Sequence, residues 1–370
     1  MMHEQVTFSN YSIGSGVYED VVRICAPYGK RIALIVGDHG FPALEDRLVP
    51  VLAEAGFITE APLHYGGVAS YENVQRLETL PTVQNADMIF GIGGGHVLDT
   101  AKCLADRVNK PVFTFPTIGS NCAAATSVSI MYRPDGSVVG PDFLQEAPRH
   151  VFIDEEVLLA APPIYLYAGI GDTYAKYYEV TLNCRDVHLN YPLALGEHIS
   201  GACASAMQAH AVGAMQAVEA GRLNDDFRQT VLTIIITTAM VSILVTLDHS
   251  PDYNSGLAHA IYYALTGVAG FDHEAHPHGE VVGFGVTVAL LVDRWRQAFT
   301  EVMTLNKALG YPMVPEDLGL SMTDMRRIYP AILEAADVRH YPYPITEDML
   351  DDAFTALYTY EKEETTHDHF

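Results

Sequence analysis

The chain has 370 residues, 49% hydrophobic and 18% charged, with 29 Gly and 20 Pro, which excludes a disordered, collagen-like or low-complexity chain. Its 21 Lys and Arg against 46 Asp and Glu give a net charge of −25, and nucleic-acid backbones and anionic membrane surfaces repel so acidic a chain. Five scattered cysteines (Cys25, Cys103, Cys122, Cys184, Cys203) form no C-x-x-C, which excludes a disulfide framework or a cysteine zinc site and suits a reducing compartment.

At roughly 100–200 residues per domain, the length predicts two domains or one large one. The opening Met1-Met2-His3-Glu4-Gln5 has no basic or apolar signal region, so a cytoplasmic protein is expected. RIALIVG (31–37) reads as a strand, 41–55 as a helix, FITEAPLHY (57–65) as a strand and 71–84 as a helix. ADMIFGI (86–92), VLDTAKCLADRV (97–108) and KPVFTFP (110–116) continue the alternation. Strands separated by helices of this length predict a parallel sheet with crossovers. TSVSIMY (126–132), the turn Arg133-Pro134-Asp135-Gly136 and SVVG (137–140) predict a hairpin, and HVFID (150–154) a last strand.

After Pro162-Pro163 the residues fall into Ala-, Leu- and Met-rich stretches at helical period. The predicted architecture is an α/β domain over 1–160 and an all-helical domain over 161–370. QTVLTIIITTAMVSILVTL (229–247) approaches the roughly 20 residues needed to cross a bilayer. Five Thr and one Ser interrupt it, so a helix buried in the helical domain is expected, and no membrane partner. The tail EETTHDHF (363–370) reads as frayed, with His367 and His369 free to take up a stray metal.

Gly91-Ile92-Gly93-Gly94-Gly95-His96 follows a predicted strand and opens a predicted helix. Backbone amides at such a turn suit a pyrophosphate. Spacing alone leaves a bland tight turn equally open, because His96 stands where the common dinucleotide fingerprint needs Gly. Asp38, directly after strand 31–37, is a candidate for the ribose hydroxyls or an ordinary N-cap. Five histidines fall between 249 and 278: His249, His259, His273, His276 and His278. Two imidazoles from separate segments plus a carboxylate such as Asp172 make a three-ligand metal site with one open position. The competing reading makes Asp172 an N-cap and His259 a core histidine. No G-x-S-x-G, H-E-x-x-H or P-loop is present.

These segments together resemble the metal-dependent alcohol and polyol dehydrogenase family, whose fold is that of dehydroquinate synthase. LIVGD, GIGGGHVLDTAK, PTIGSNCAAATSVSIMY, APPIYLYAGIGDTYAKYYE, GLAHAIYYALTG, HGEVVGFG and HYPYPITEDMLDDAFTAL occur in order over residues 30 to 358. They are most similar to the glycerol dehydrogenase and hydroxycarboxylate dehydrogenase branch. The resemblance implies a nucleotide-binding α/β domain, a helical metal domain and an active site in the cleft between them. It also implies a homo-oligomer that uses NAD, or NADP, and one divalent metal. Carried over by position, Asp172, His259 and His278 are the metal ligands and the catalytic centre. The cofactor positions are Asp38, Gly94, Gly95, His96, Asp99, Thr117, Ser120, Thr126, Val128 and Tyr132.

Four departures from the family pattern carry information. Iron-type relatives have His four residues after the metal Asp; Lys176 stands there, favouring three ligands and zinc over iron. Relatives have His or Lys after the glycine triplet, and His96 fits that. A second His follows the first metal His in relatives, near the nicotinamide; Tyr262 and Tyr263 occupy those places and leave the proton relay unassigned. Cys122 replaces the Asp that holds the polyol in glycerol dehydrogenases. The expected activity is hydride transfer between a nicotinamide and a small secondary alcohol or 2-hydroxy acid, with glycerol disfavoured. Cys122 and Lys176 are the expected substrate contacts. A polyol dehydrogenase, a dehydroquinate-synthase-like cyclase and a binding protein on the same fold are the alternatives.

Overall fold

A computed structural model describes residues 5–249, 253–268, 270–272 and 275–367, with side chains to 361. Among the described residues nine strands occur in chain order: β1 (Asn10–Ile13), β2 (Arg31–Val36), β3 (Ile58–Thr59), β4 (Leu63–His64), β5 (Met88–Gly93), β6 (Val112–Pro116), β7 (Val128–Tyr132), β8 (Val138–Phe143) and β9 (His150–Ile153). Seven form a parallel sheet in the order β1-β9-β6-β5-β2-β3, with β4 also on β2, and β7-β8 form an antiparallel pair. Among the described residues no strand follows Ile153, and the regular elements after it are all helices.

Side-chain alternation explains the central strands. Ile32, Leu34, Phe90, Ile92, Phe113 and Phe115 pack on one side with Val21, Leu48 and Leu52 of the helices Val17–Cys25 and Glu45–Glu54. Ala33, Ile35 and Ile89 pack on the other with Val74, Leu77 and Leu104 of the helices Tyr71–Glu78 and Gly95–Arg107. Both faces are therefore covered, as an all-parallel sheet requires.

The parallel sheet, the hairpin and the helical remainder match expectation, and three details differ. The strand expected over 57–65 is two short pieces, β3 and β4. The helix expected over 71–84 breaks after Glu78 and restarts at Pro81, because a proline ring clashes with the preceding helical turn. β1 and the helix after it lie in a stretch without a strong pattern and went unread.

The chain forms two compact units, 1–165 with 217–243, and 166–216 with 244–370. A single break at 160/161 would put 217–243 in the second unit; these residues pack with the first. Arg228 makes a two-pronged ion pair with buried Glu155, at 2.8 and 2.5 Å. The helix over Asp225–Val245 is long and apolar enough to cross a membrane, yet 67% of its apolar window is buried inside the protein, as in a core helix. None of the five cysteines is in a disulfide.

Candidate active site

In the first unit, successive strands lead from β2 to β3 on one side of the sheet and to β5 on the other. The carboxyl ends of β2 and β5 thus flank a switch point, the usual ligand crevice of such sheets. Asp38 lies just past β2, exposed. Gly93 ends β5 with φ +153°, and a Cβ there would lie 2.7 Å from Val97 Cγ2, so the turn demands glycine. The helix Gly95–Arg107 follows Gly94 with no side-chain cap. Its first N–H groups and positive end are free for a phosphate.

Around this turn, Thr117 donates its N–H to Gly93 O at 3.2 Å, and half-buried Ser120 follows on the same loop. His96 is exposed and stacks on Tyr132, centroids 4.5 Å apart. Three expected cofactor contacts have their polar atoms taken up inside the protein. Lys102, fully buried, sends its ammonium to Asp99 Oδ1 at 3.0 Å, Thr126 Oγ1 at 2.9 Å and Val128 O at 2.5 Å. Asp99 also accepts from the Ile130 N–H at 3.3 Å. The sequence reading missed Lys102, although its position three residues after Asp99 on a helix places the two on one face.

In the second unit, three helices supply one cluster. Asp172 belongs to Pro163–Cys184, His259 to the first turn of Leu257–Thr266, and His278 opens His278–Val292. The Nε2 atoms of His259 and His278 each lie 3.5 Å from Asp172 Oδ1. One donor atom from each residue falls within 4.8 Å of the others. Two nitrogens and a carboxylate oxygen so disposed fit a divalent ion with room for a further ligand. Burial alone would raise the Asp172 pKa; the hydrogen bonds and charges of His259 and His278 outweigh it and hold the carboxyl well below its ordinary range.

Behind His259 stands Glu179, fully buried, with Oε2 2.6 Å from His259 Nδ1. Its Oε1 accepts the N–H groups of Gly256 (2.8 Å) and His259 (3.0 Å). One carboxylate from another helix therefore closes an uncapped helix start and orients the imidazole. Burial would lower the His259 pKa, but Glu179 and Asp172 push it up to about 10. Because the carboxylate accepts at Nδ1, that nitrogen carries the hydrogen and Nε2 faces Asp172. Replacing Glu179 with Gln is expected to weaken metal affinity about 10- to 100-fold, measured by chelator competition.

Of the other histidines, His276 pairs with Glu280 at 3.0 Å, His249 is exposed, and His273, like the tail position His369, lies outside the described residues. Tyr262 sets its ring edge-to-face against His278 at 4.3 Å, while Tyr263 is exposed. Burial, then the Asp172 charge, raises the Tyr262 pKa. Lys176, expected to face substrate, is buried and gives its ammonium to Asn254, at 2.5 Å to the backbone O and 3.0 Å to Oδ1. It shares a face with Asp172 as helical spacing requires, but a neighbouring segment has engaged its charge. Cys122 is half-buried in the loop after β6, where its carbonyl closes a turn with the Ala125 N–H.

A family profile described as iron-containing alcohol dehydrogenase matches residues 9–154. A glycerol dehydrogenase from Thermotoga maritima is 31% identical, covering 79% of both chains. The chain belongs to the iron-containing alcohol dehydrogenase family. The chain is also similar to a glycolaldehyde reductase from Halobacterium salinarum, 27% identical over 93% of this chain and 94% of that one. The hydroxycarboxylate dehydrogenase A of Escherichia coli K12 is 28% identical over 88% of both. The family's fold is matched by the crystal structure of glycerol dehydrogenase from Schizosaccharomyces pombe, with a TM-score of 0.85, 22% identity, and coverage of 100% of this chain and 94% of that one. As a member, the chain is a dehydrogenase acting on alcohols, in a family that binds NAD and a divalent metal.

Proposed function

We propose that the protein is an NAD(H)-linked, zinc-dependent dehydrogenase that interconverts a small secondary alcohol or 2-hydroxy acid with its carbonyl. The convergence of Asp172, His259 and His278 carries this reading. The first unit would bind the dinucleotide and the second the metal. Zinc suits two imidazoles, one carboxylate and an open position, and Lys176 stands where a further imidazole would favour iron. Metal analysis of the purified protein, with reconstitution by zinc and by ferrous iron, tests the choice.

When bound, the divalent ion supplies a Lewis acid for the substrate oxygen and the nicotinamide exchanges the hydride. The chain's own groups hold and orient. Glu179 fixes the tautomer of His259, so that Nε2 would be the nitrogen to hold the ion. Tyr262 braces the His278 ring. The turn at Gly93, Gly94 and Gly95 would take the pyrophosphate on backbone N–H groups. Asp38 would accept the ribose hydroxyls and repel the 2′-phosphate of NADP. Asp38→Gly is therefore expected to raise the NADPH-to-NADH ratio of kcat/KM by about tenfold. A wild type that prefers NADPH by that factor overturns the assignment.

Cys122 supports the acid substrate, because the carboxylate found there in polyol enzymes would repel a substrate carboxylate. The engaged ammonium of Lys176 removes the other support and favours a second reading, a neutral hydroxy-aldehyde or polyol. The kcat/KM for 2-oxobutyrate against dihydroxyacetone and a matched simple aldehyde decides between them. A neutral carbonyl ahead by about tenfold ends the acid reading, and Cys122→Asp should then strengthen dihydroxyacetone further.

A further inference from the structure

His64 stands beside Asp38, and neither the motifs nor the family likeness singled it out. β4 pairs with β2 so that His64 lies opposite Val36, two residues before Asp38. His64 Nε2 comes within 3.2 Å of Asp38 Oδ1. The other ring nitrogen, Nδ1, accepts the Gly66 N–H at 3.1 Å. A nitrogen that accepts carries no hydrogen, so Nε2, the nitrogen that approaches the carboxylate, is the one able to donate.

The turn that presents His64 is built rather than loose. Arg76 donates to His64 O at 2.8 Å, and Asn73 Nδ2 donates to Gly66 O at 3.2 Å and Val68 O at 3.0 Å. Tyr65 donates its hydroxyl to Gly67 O at 2.7 Å, and its ring lies 5.0 Å from that of His64. Asp38 by contrast is 76% exposed in its side chain. Such a carboxylate samples several rotamers in water and loses that freedom on binding a ligand. His64 Nε2 lies against Oδ1 of that carboxylate.

We propose that His64 is a positioning residue for the adenosine ribose of the dinucleotide: it holds the Asp38 carboxylate in the rotamer that receives the 2′- and 3′-hydroxyls. The inference rests on the reading of Asp38 as the ribose contact. In this tautomer the imidazole offers the carboxylate an N–H, and Asp38 still repels a 2′-phosphate. His64 therefore strengthens NADH binding and gives NADPH nothing.

The test is calorimetric titration of the metal-loaded protein with NADH and NADPH, without substrate. His64→Ala is expected to weaken NADH about three- to tenfold with no gain for NADPH. His64→Gln, which keeps a side-chain N–H, should recover most of the loss. In an Asp38→Ala background, His64→Ala should have no further effect on NADH. If Asp38→Ala binds NADH like the wild type, the ribose reading fails and takes this proposal with it. If Asp38→Ala weakens NADH while His64→Ala does not, only the positioning role is overturned. An equal loss from His64→Ala in both backgrounds overturns it too, since His64 would then act through the turn alone.

Discussion

Replacing His259 with Ala is expected to strip the protein of metal and activity together. His259 supplies one of three donors grouped within 4.8 Å, and two donors hold a catalytic ion poorly. The same change leaves Glu179 buried without the imidazole 2.6 Å away that offsets its charge. Metal content of dialysed protein should fall to about a tenth of wild type or less, and kcat/KM by more than about a hundredfold. His259→Asn separates ligand loss from folding loss. Its amide still offers an N–H toward Glu179, so it should fold, yet remain metal-poor. Full occupancy in either variant would remove His259 from the ligand set.

The second large effect is expected at Gly279, which touches no ligand. The helix Pro163–Cys184 meets the helix His278–Val292 backbone to backbone at Gly171 and Gly279. A Cβ on Gly279 would lie 1.8 Å from Ala168 O, and one on Gly171 2.1 Å from Gly279 O. Backbone atoms cannot rotate away as a side chain does, so Gly279→Ala must push the helices apart. The next residue along from each glycine is a candidate ligand: Asp172 follows Gly171, and His278 precedes Gly279. A loss of about 3 kcal/mol in stability is expected, with metal affinity at least about tenfold weaker. Gly267→Ala is the control, since its nearest neighbour would be Ala264 O at an ordinary 3.5 Å. Thermal melts and chelator competition on both variants give the comparison. Wild-type values for Gly279→Ala would mean that the helix crossing is not what brings Asp172 and His278 together.

What was readable in advance follows the range over which each feature is encoded. β2, β5 and β6 were legible because a strand buried on both faces is a short continuous apolar run. The glycine turn was legible because a positive φ and a close side chain leave few alternatives at Gly93. β1 was not, because NYSI is a four-residue edge strand with little to bury. The division at 217–243 was also hidden, since an apolar helix has the same composition in whichever unit it packs. The metal triad was one of two readings that the histidine cluster left open, and likeness to a family chose it; Asp172 and His278 are more than a hundred residues apart, and no local pattern relates them.

By itself, then, the sequence determined the alternation of elements, the covered parallel sheet and the type of chemistry its glycine turn, aspartates and histidines can support. These depend on side-chain period and backbone preference, which act over a few residues. Only the tertiary structure decided how individual charges are used. Lys176 keeps its helical face toward Asp172 yet spends its ammonium on Asn254, 78 positions away. Glu179 becomes the brace of His259 across 80 positions, Lys102 gathers Asp99, Thr126 and Val128, and His64 meets Asp38 across neighbouring strands. A buried or paired charge is settled by whichever partner the fold carries to it, because leaving it without one costs several kcal/mol, about as much as a domain's whole margin of stability.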